Sequence, residues 1–217
     1  MYKNISIMKH IVDFNKELSG KFALVTGGTK GAGKAIAERL LNAGATVIIA
    51  ARNTPKQAND KLHFISADLS QSAGTKKIVS EVLQKFGRLD ILVNNLGGSD
   101  AEGGGFSVLS DEDWEKAIHT NLLAPVRLDR GFLPHMLARG NGVIIHIASI
   151  QARLPLHDST LPYAAAKAGL LNYSKNLSNE VSPKGVRVLT VSPGWIQTDG
   201  ATGMMQEISE RNGISVE

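Results

Sequence analysis

The sequence predicts a three-layer α/β fold in which a doubly wound parallel sheet lies between helices. Short runs rich in Val, Ile, Leu and Ala alternate with longer segments of helical periodicity, as in parallel strands joined by crossover helices. A glycine-rich stretch, residues 27–33, directly follows the first apolar run and precedes the first helical segment. Within the 217 residues we expect one domain, residues 20–217, after an N-terminal extension, residues 1–19.

The strands are predicted from apolar runs of four to six residues, too short for buried helices and typical of strands covered on both faces. Turn residues bound most of them: Gly44 ends the first helix at its C′ position, and residues 183–185 form a turn before the last strand. The predicted strands cover residues 22–26, 46–51, 62–66, 91–94, 143–148 and 186–191.

Four helices are predicted between these strands, over residues 34–42, 72–86, 111–138 and 163–181. Ser110 and Asp113 have the spacing of a capping box at the start of the third helix, and Pro125 is expected to bend that helix. Residues 52–61 are rich in turn residues and leave room for at most one helical turn. Because parallel strands end at one edge of the sheet, we expect the loops that follow them to meet in a single crevice.

Composition excludes several classes of function. The chain has no cysteine, which removes disulfides, thiolate metal sites and cysteine nucleophiles, and no metal site is predicted. The net charge of +4 is spread along the chain, so we expect a small anionic ligand and no nucleic-acid partner. No apolar run is long enough for a signal sequence or a membrane helix, so we expect a cytoplasmic protein without a membrane partner.

Tyr163 and Lys167 are separated by three alanines, which places them one turn apart on one face of a helix. An ammonium group close to a phenol favours the phenolate, so this pair is suited to acid and base chemistry. The same spacing also occurs in ordinary surface pairs. It indicates a catalytic role only together with the glycine-rich turn.

Taken together, these motifs resemble those of the short-chain dehydrogenase/reductase family, whose domain is Rossmann-like. The matching motifs run in family order from about residue 20 to residue 198: Thr26-Gly27-Gly28-Thr29-Lys30-Gly31-Ala32-Gly33, Asp68, Asn94-Asn95-Leu96-Gly97, Asn121, Ser149, Tyr163 with Lys167, and Pro193-Gly194-Trp195-Ile196-Gln197-Thr198.

The resemblance implies a nicotinamide-dependent oxidoreductase that interconverts a carbonyl and an alcohol. Tyr163 would act as the proton donor and Ser149 would hold the carbonyl oxygen. Lys167 would bind the nicotinamide ribose and lower the pKa of Tyr163, and Asn121 would position a water in a proton relay. The residues expected to bind the cofactor are Gly27, Thr29, Lys30, Gly31, Gly33, Arg52, Asp68, Leu69, Asn95, Gly97, Tyr163, Lys167, Pro193, Gly194, Ile196 and Thr198. Asn94 would brace neighbouring backbone, and the substrate pocket would include Gln151, His157 and Trp195.

Charge favours NADP(H) over NAD(H). The second strand ends in Ala51-Arg52 without the carboxylate that would hold a free ribose 2′-hydroxyl, and Lys30 lies in the glycine turn. If Arg52 and Lys30 are ordinary surface cations, the alternative cofactor is NAD(H). For Asp68, the alternative to a cofactor contact is a role as a turn or helix-cap carboxylate. His146, on a buried strand, is interpreted as a core residue.

Some features depart from the family pattern. Leu96 replaces an alanine, the gap from Ser149 to Tyr163 is one residue longer than usual, and Ser159 is a less well placed substitute for Ser149. The family's substrate-covering segment, last helix and last strand do not appear before Glu217, so we expect the C-terminal part to be missing. Family members commonly form homodimers or homotetramers, here through the helices predicted at residues 111–138 and 163–181. The alternatives to an oxidoreductase are a catalytically silent nucleotide-binding module and another Rossmann-like enzyme such as a methyltransferase.

Overall fold

The computed structural model describes residues 16–54, 61–158 and 160–198, together with isolated positions at 14, 202, 203, 205, 206, 209 and 213. Most of the expected N-terminal extension, most of the link between the second and third strands, and Ser159 lie outside these residues.

Six parallel strands form one sheet in the order β3-β2-β1-β4-β5-β6. The strands are β1 (Phe22–Thr26), β2 (Thr46–Ala51), β3 (Leu62–Ser66), β4 (Ile91–Asn94), β5 (Gly142–Ile147) and β6 (Val186–Val191). The predicted fold class is confirmed, and only β5 differs, by one residue at each end. Strand order reverses between β1 and β4, which opens a crevice beyond the carboxyl ends of these two strands.

Helices α1 (Gly31–Asn42), α2 (Ser72–Phe86), α3 (Asp111–Ile118), α4 (Ala124–Ala138) and α5 (Leu161–Val181) connect the strands. The capping box of Ser110 and Asp113 is confirmed, with both of its hydrogen bonds present. Helix α1 begins three residues earlier than predicted, inside the glycine turn. Helix α5 begins two residues earlier than predicted, with Pro162 in its first turn. Proline is tolerated there because backbone N–H groups in the first turn have no partner within the helix. No helix in the described part of the chain is both long and apolar enough to cross a membrane.

The helix predicted over residues 111–138 is interrupted just before Pro125. The irregularity lies just before it, in a π-helical turn, His119–Leu123, and Pro125 sits in the first turn of α4. A π turn inserts one extra residue into the helical repeat and redirects the side chains around it. Asn121, at the centre of this turn, is completely buried.

The core has two layers, because side chains alternate between the faces of each strand. Leu24, Ile48, Leu92 and Ile144 pack against α2, α4 and α5 on one face. The other face packs against α1 and is built from Ala23, Val25, Val47, Ile49 and Val93. On β6, Leu189 and Val191 alternate with the buried Val186 and Val188 and are half exposed.

Candidate active site

The turn between β1 and α1 depends on its glycines. Gly27 and Gly31 have φ angles of +66° and +54°, in the left-handed region that favours glycine. A Cβ at Gly33 would lie 2.2 Å from the Gly27 carbonyl oxygen, so no larger residue fits there. The backbone can therefore turn closely beneath any group that lies over the N-terminus of α1, where unpaired N–H groups favour an anion.

Asn95 holds this turn in place from the neighbouring strand. Its side-chain Nδ2 donates to the carbonyl oxygens of Thr26, at 2.9 Å, and Gly27, at 3.4 Å. Thr26 Oγ1 accepts from the backbone N–H groups of Asn95 and Leu96, both at 2.9 Å. The expectation that Asn94 braces neighbouring backbone is wrong: its Nδ2 donates to Asp129 Oδ1 at 2.9 Å, and Asn95 does the bracing. Sequence reasoning gave Thr26 no role, although its place at the end of β1 beside β4 was a usable signal.

A groove of about 1510 Å³ runs along the carboxyl edge of the sheet. Leu96 and Lys116 line it together with six of the residues predicted to bind a cofactor, namely Gly27, Thr29, Lys30, Arg52, Asp68 and Leu69. A pocket of about 220 Å³ is lined by Lys30, Arg52, Gly97 and Lys116 among others. Three cationic side chains therefore gather at the end of β2, and one of them, Lys116, is paired with Asp100 at 3.2 Å.

Asp68 makes turn contacts of its own. Its Oδ1 accepts from the backbone N–H of Ser70 at 3.0 Å and from the Ser70 hydroxyl at 2.7 Å. The carboxylate is exposed and lies on the groove, so the turn role does not prevent a contact with a bound group. Leu69 is only 2% exposed and packs into the core.

Ser149, Tyr163 and Lys167 come together where β5 ends and α5 begins. Ser149 Oγ accepts from the backbone N–H of Gln151 at 3.1 Å, and the Ser149 side chain lies near enough to Tyr163 to lower the pKa of its phenol. Lys167 lies one turn further along α5, with Nζ 5.6 Å from the centre of the Tyr163 ring, and donates to the Ile147 carbonyl oxygen at 2.7 Å. Because these three residues were predicted to be catalytic, we call them the catalytic cluster.

Burial dominates the protonation of this cluster. It lowers the pKa of Lys167 to about 8, because the charged ammonium loses its hydration. Burial also raises the pKa of Tyr163, and the nearby Ser149 side chain opposes this only in part. In the protein alone the pKa of Tyr163 is therefore raised, and Lys167, whose Nζ donates to the Ile147 carbonyl, is not among the causes of this shift.

Asn121 is joined to the loop after β4. Its Oδ1 accepts from the Gly98 N–H at 3.1 Å, and its Nδ2 donates to the carbonyl oxygens of Gly98 and Ala117, at 3.0 Å and 3.1 Å. A Cβ at Gly97 would lie 2.7 Å from Asn121 Oδ1 and 2.8 Å from Lys167 Nζ. The glycine thus lets the loop pass between the two side chains, and both N–H bonds of the Asn121 amide are already used on backbone.

The remaining predicted residues surround this centre. Gln151 Oε1 accepts from the Thr160 hydroxyl, whereas the side chains of His157 and Trp195 are exposed. Pro193 accepts a hydrogen bond from the Ile150 N–H at 2.9 Å, which ties the segment after β6 to the catalytic cluster. Gly194 and Ile196 on this segment are exposed, and a Cβ at Gly31 would lie 3.4 Å from Thr198 Cγ2, so the segment reaches the glycine turn.

A second polar group lies deeper in the core. His146 Nε2 contacts Asp129 Oδ2 at 2.9 Å, and His146 Nδ1 contacts Ser174 Oγ at 2.9 Å. The Tyr173 hydroxyl donates to Asp129 Oδ2 at 2.9 Å, and Thr190 donates to Ser174 Oγ at 2.6 Å. We call these residues, with Asn94, the buried network. His146 is completely buried, which confirms its interpretation as a core residue. No cluster of metal-ligating side chains occurs among the described residues.

Comparison with known proteins identifies the family. The family model described as short chain dehydrogenase matches residues 21–210. The chain is 35% identical over 201 residues to the 3-oxoacyl-(acyl-carrier-protein) reductase FabG of Escherichia coli (strain K12), covering 90% of this chain and 80% of that protein. The structure of L-sorbose reductase from Gluconobacter frateurii complexed with NADPH and L-sorbose matches with a TM-score of 0.81 and 34% identity, covering 92% of this chain and 78% of the reductase. A variant of actinorhodin polyketide ketoreductase with NADPH matches with a TM-score of 0.82 and 32% identity, covering 90% and 78%. This chain belongs to the short chain dehydrogenase family of oxidoreductases.

Proposed function

We propose that the protein is an NADP(H)-dependent oxidoreductase that interconverts a carbonyl and an alcohol, with Tyr163 as the acid or base. The observation that carries the proposal is the catalytic cluster: a hydroxyl pair, Ser149 and Tyr163, beside the buried cation Lys167. Two of the structural relatives were solved with NADPH, which supports the choice of cofactor.

The residues of the groove fit a dinucleotide. The glycine turn offers closely approachable backbone and the N-terminus of α1 to a pyrophosphate, while Lys30 and Arg52 lie at the end of β2, where a ribose 2′-phosphate would be held. Asp68 would contact the adenine, and Lys167 the nicotinamide ribose. When bound, the cofactor supplies or accepts the hydride.

The catalytic cluster supplies the proton and binds the carbonyl oxygen of the substrate. Ser149 and Tyr163 present two hydroxyl donors to the carbonyl oxygen, where negative charge develops during reduction. Because burial raises the pKa of Tyr163, its phenol stays protonated at neutral pH and can give its proton to that oxygen. Lys167 makes one hydrogen bond to the described protein, to the Ile147 carbonyl, and so has donors left for a ribose. Asn121 keeps the loop of Gly97 and Gly98 in place beside them.

The test is cofactor-dependent turnover over a panel of ketones and aldehydes, with NADPH and NADH compared. We expect turnover with NADPH, and Arg52→Ala to weaken NADPH binding about tenfold while NADH binding is unchanged, because a charge-assisted hydrogen bond contributes about 1.5–3 kcal/mol. Arg39→Ala is the matched control, since Arg39 is paired with Glu17 away from the groove. Equal affinity for both cofactors, unaffected by Arg52→Ala, would reject NADP(H) as the cofactor. Absence of turnover with either cofactor would reject the oxidoreductase assignment.

A further inference from the structure

One wall of the groove is the loop between β3 and α2, residues 67–71, which we call the β3–α2 loop. The loop is tied to the rest of the fold at its start, where the Ala67 N–H donates to the Ala51 carbonyl oxygen at 3.1 Å. Helix α2 packs against it closely, since a Cβ at Gly74 would lie 1.9 Å from the Asp68 carbonyl oxygen. The backbone of this wall is therefore held in place by its neighbours on both sides.

The carboxylate of Asp68 is anchored within the β3–α2 loop through one oxygen. Its Oδ1 accepts from the Ser70 N–H at 3.0 Å and from the Ser70 hydroxyl at 2.7 Å. Its Oδ2 makes no hydrogen bond to the described protein, and the residue is exposed on the groove. The orientation of the carboxylate thus depends on the position of Ser70, and Oδ2 keeps its capacity to accept a hydrogen bond from a bound group.

Arg127, on α4, holds Ser70 from outside the groove. Its Nη1 donates to the Ser70 carbonyl oxygen at 2.9 Å, and this contact is partly buried. Arg127 itself is not among the residues that line the groove. Hydrogen bonds from a charged donor are stronger than those between neutral groups. A series of hydrogen bonds therefore runs from α4 to the groove, first from Arg127 to Ser70 and then from Ser70 to Asp68.

We propose that Arg127 is a positioning residue for recognition of the adenine base: it fixes Ser70, and through Ser70 it holds Asp68 where the carboxylate accepts from the adenine 6-amino group. This inference rests on the proposed function, in which Asp68 contacts the adenine. Hypoxanthine has a 6-oxo group at that place, which offers the carboxylate an acceptor instead of a donor. A carboxylate held in position discriminates against such a base, and one that is free to move discriminates less.

The test is the Kd of the full chain for NADPH and for reduced nicotinamide hypoxanthine dinucleotide phosphate, each measured by the change in nicotinamide fluorescence. We expect the wild type to bind NADPH about tenfold more tightly, because one hydrogen bond to a charged group contributes at least that factor. In Arg127→Met we expect the affinity for NADPH to fall by about tenfold and the ratio of the two Kd values to approach one. Arg127→Lys keeps a charged donor and should retain an intermediate ratio.

Arg130→Met is the matched control. Arg130 is an exposed arginine on the same helix, near Tyr173 and outside the lining of the groove, so its removal should leave the ratio at the wild-type value. Ser70→Ala is a second variant, which keeps Arg127 and removes the 2.7 Å hydrogen bond to Asp68. We expect its ratio to fall as well, so the inference stays testable if Arg127→Met does not fold.

The possible results separate the inference from the proposed function. Equal binding of the two nucleotides by the wild type would overturn the inference, and so would a wild-type ratio in Arg127→Met or, where that variant does not fold, in Ser70→Ala. An equal loss of affinity for both nucleotides in Arg127→Met, or the same fall of the ratio in Arg130→Met, would show a general effect on the fold and would also overturn it. Failure of the wild type to bind either nucleotide would instead reject the proposed cofactor and with it the proposed function.

Discussion

The catalytic cluster and the buried network use similar residues in opposite ways. Each contains a serine and a tyrosine close to a titratable side chain, His146 and Asp129 in the buried network and Lys167 in the catalytic cluster. In the buried network these groups satisfy one another: Asp129 accepts from Asn94 and Tyr173 and contacts His146, which also contacts Ser174. In the catalytic cluster, Lys167 keeps donors that the described protein does not use.

A consistent direction of hydrogen bonds runs through the buried network. Thr190 donates to Ser174, so the Ser174 proton is free to point at His146 Nδ1, and His146 Nε2 then donates to Asp129. Burial and the Asp129 carboxylate raise the pKa of Tyr173, which keeps its hydroxyl a donor. Asn94 Oδ1 is the exception, being buried without a hydrogen-bond partner in the described part of the chain. The comparison teaches that a serine, a histidine and an aspartate in contact do not by themselves make a reactive site, because a network whose groups are mutually satisfied serves packing and rigidity.

The largest effect outside the catalytic side chains is expected at Gly97. In Gly97→Ala the new Cβ would displace Asn121 or Lys167, and we expect kcat to fall on the order of 10²-fold, since misplacing a catalytic group by about 1 Å has that cost. Gly98→Ala is the control, because a Cβ there meets nothing within 4 Å. Steady-state kinetics on both variants make the comparison, and equal rates would show that the fit around Gly97 is irrelevant to turnover.

The buried network should respond in stability and not in turnover. Tyr173→Phe removes one donor from a buried carboxylate, and we expect the free energy of unfolding to fall by about 1–3 kcal/mol. Urea unfolding should show a lower midpoint with an unchanged slope, while kcat per folded molecule stays at the wild-type value. A large loss of kcat without loss of stability would instead place Tyr173 in the catalytic machinery.

A third effect concerns the pH dependence of the catalytic cluster. Burial lowers the pKa of Lys167 to about 8. The Lys167 side chain is therefore protonated and charged below that pH, and neutral above it. If the charge is needed to bind the cofactor, kcat/KM for NADPH is level below pH 8 and then falls by about tenfold for each further pH unit. Lys167→Arg, which keeps its charge, should move this decline to higher pH. The same decline in wild type and Lys167→Arg would assign it to another group.

The sheet could be predicted almost to the residue because each parallel strand is a buried apolar run between turn residues. The π turn could not be predicted, since its residues have ordinary helical periodicity and the contact of Asn121 with Gly98 is a tertiary feature. The roles of Asn94 and Asn95 could have been assigned correctly from the sequence. Consecutive strand residues point to opposite faces, and Asn94 shares its face with Leu92, which packs towards α4.

The protonation states of the catalytic cluster could not be predicted from the sequence. The spacing of Tyr163 and Lys167 gives their proximity, but the direction of both pKa shifts depends on burial, which is a tertiary feature.

The most direct test of the central claim is turnover in Tyr163→Phe, with Tyr173→Phe measured beside it. Both substitutions remove one hydroxyl from α5, one from the catalytic cluster and one from the buried network. We expect Tyr163→Phe to lower kcat by about 10²–10⁴-fold, with an unfolding midpoint close to wild type, because the substitution removes the proton donor. A Tyr163→Phe enzyme that turns over within about threefold of wild type, or a Tyr173→Phe enzyme that loses as much activity, would contradict the assignment of Tyr163 as the acid.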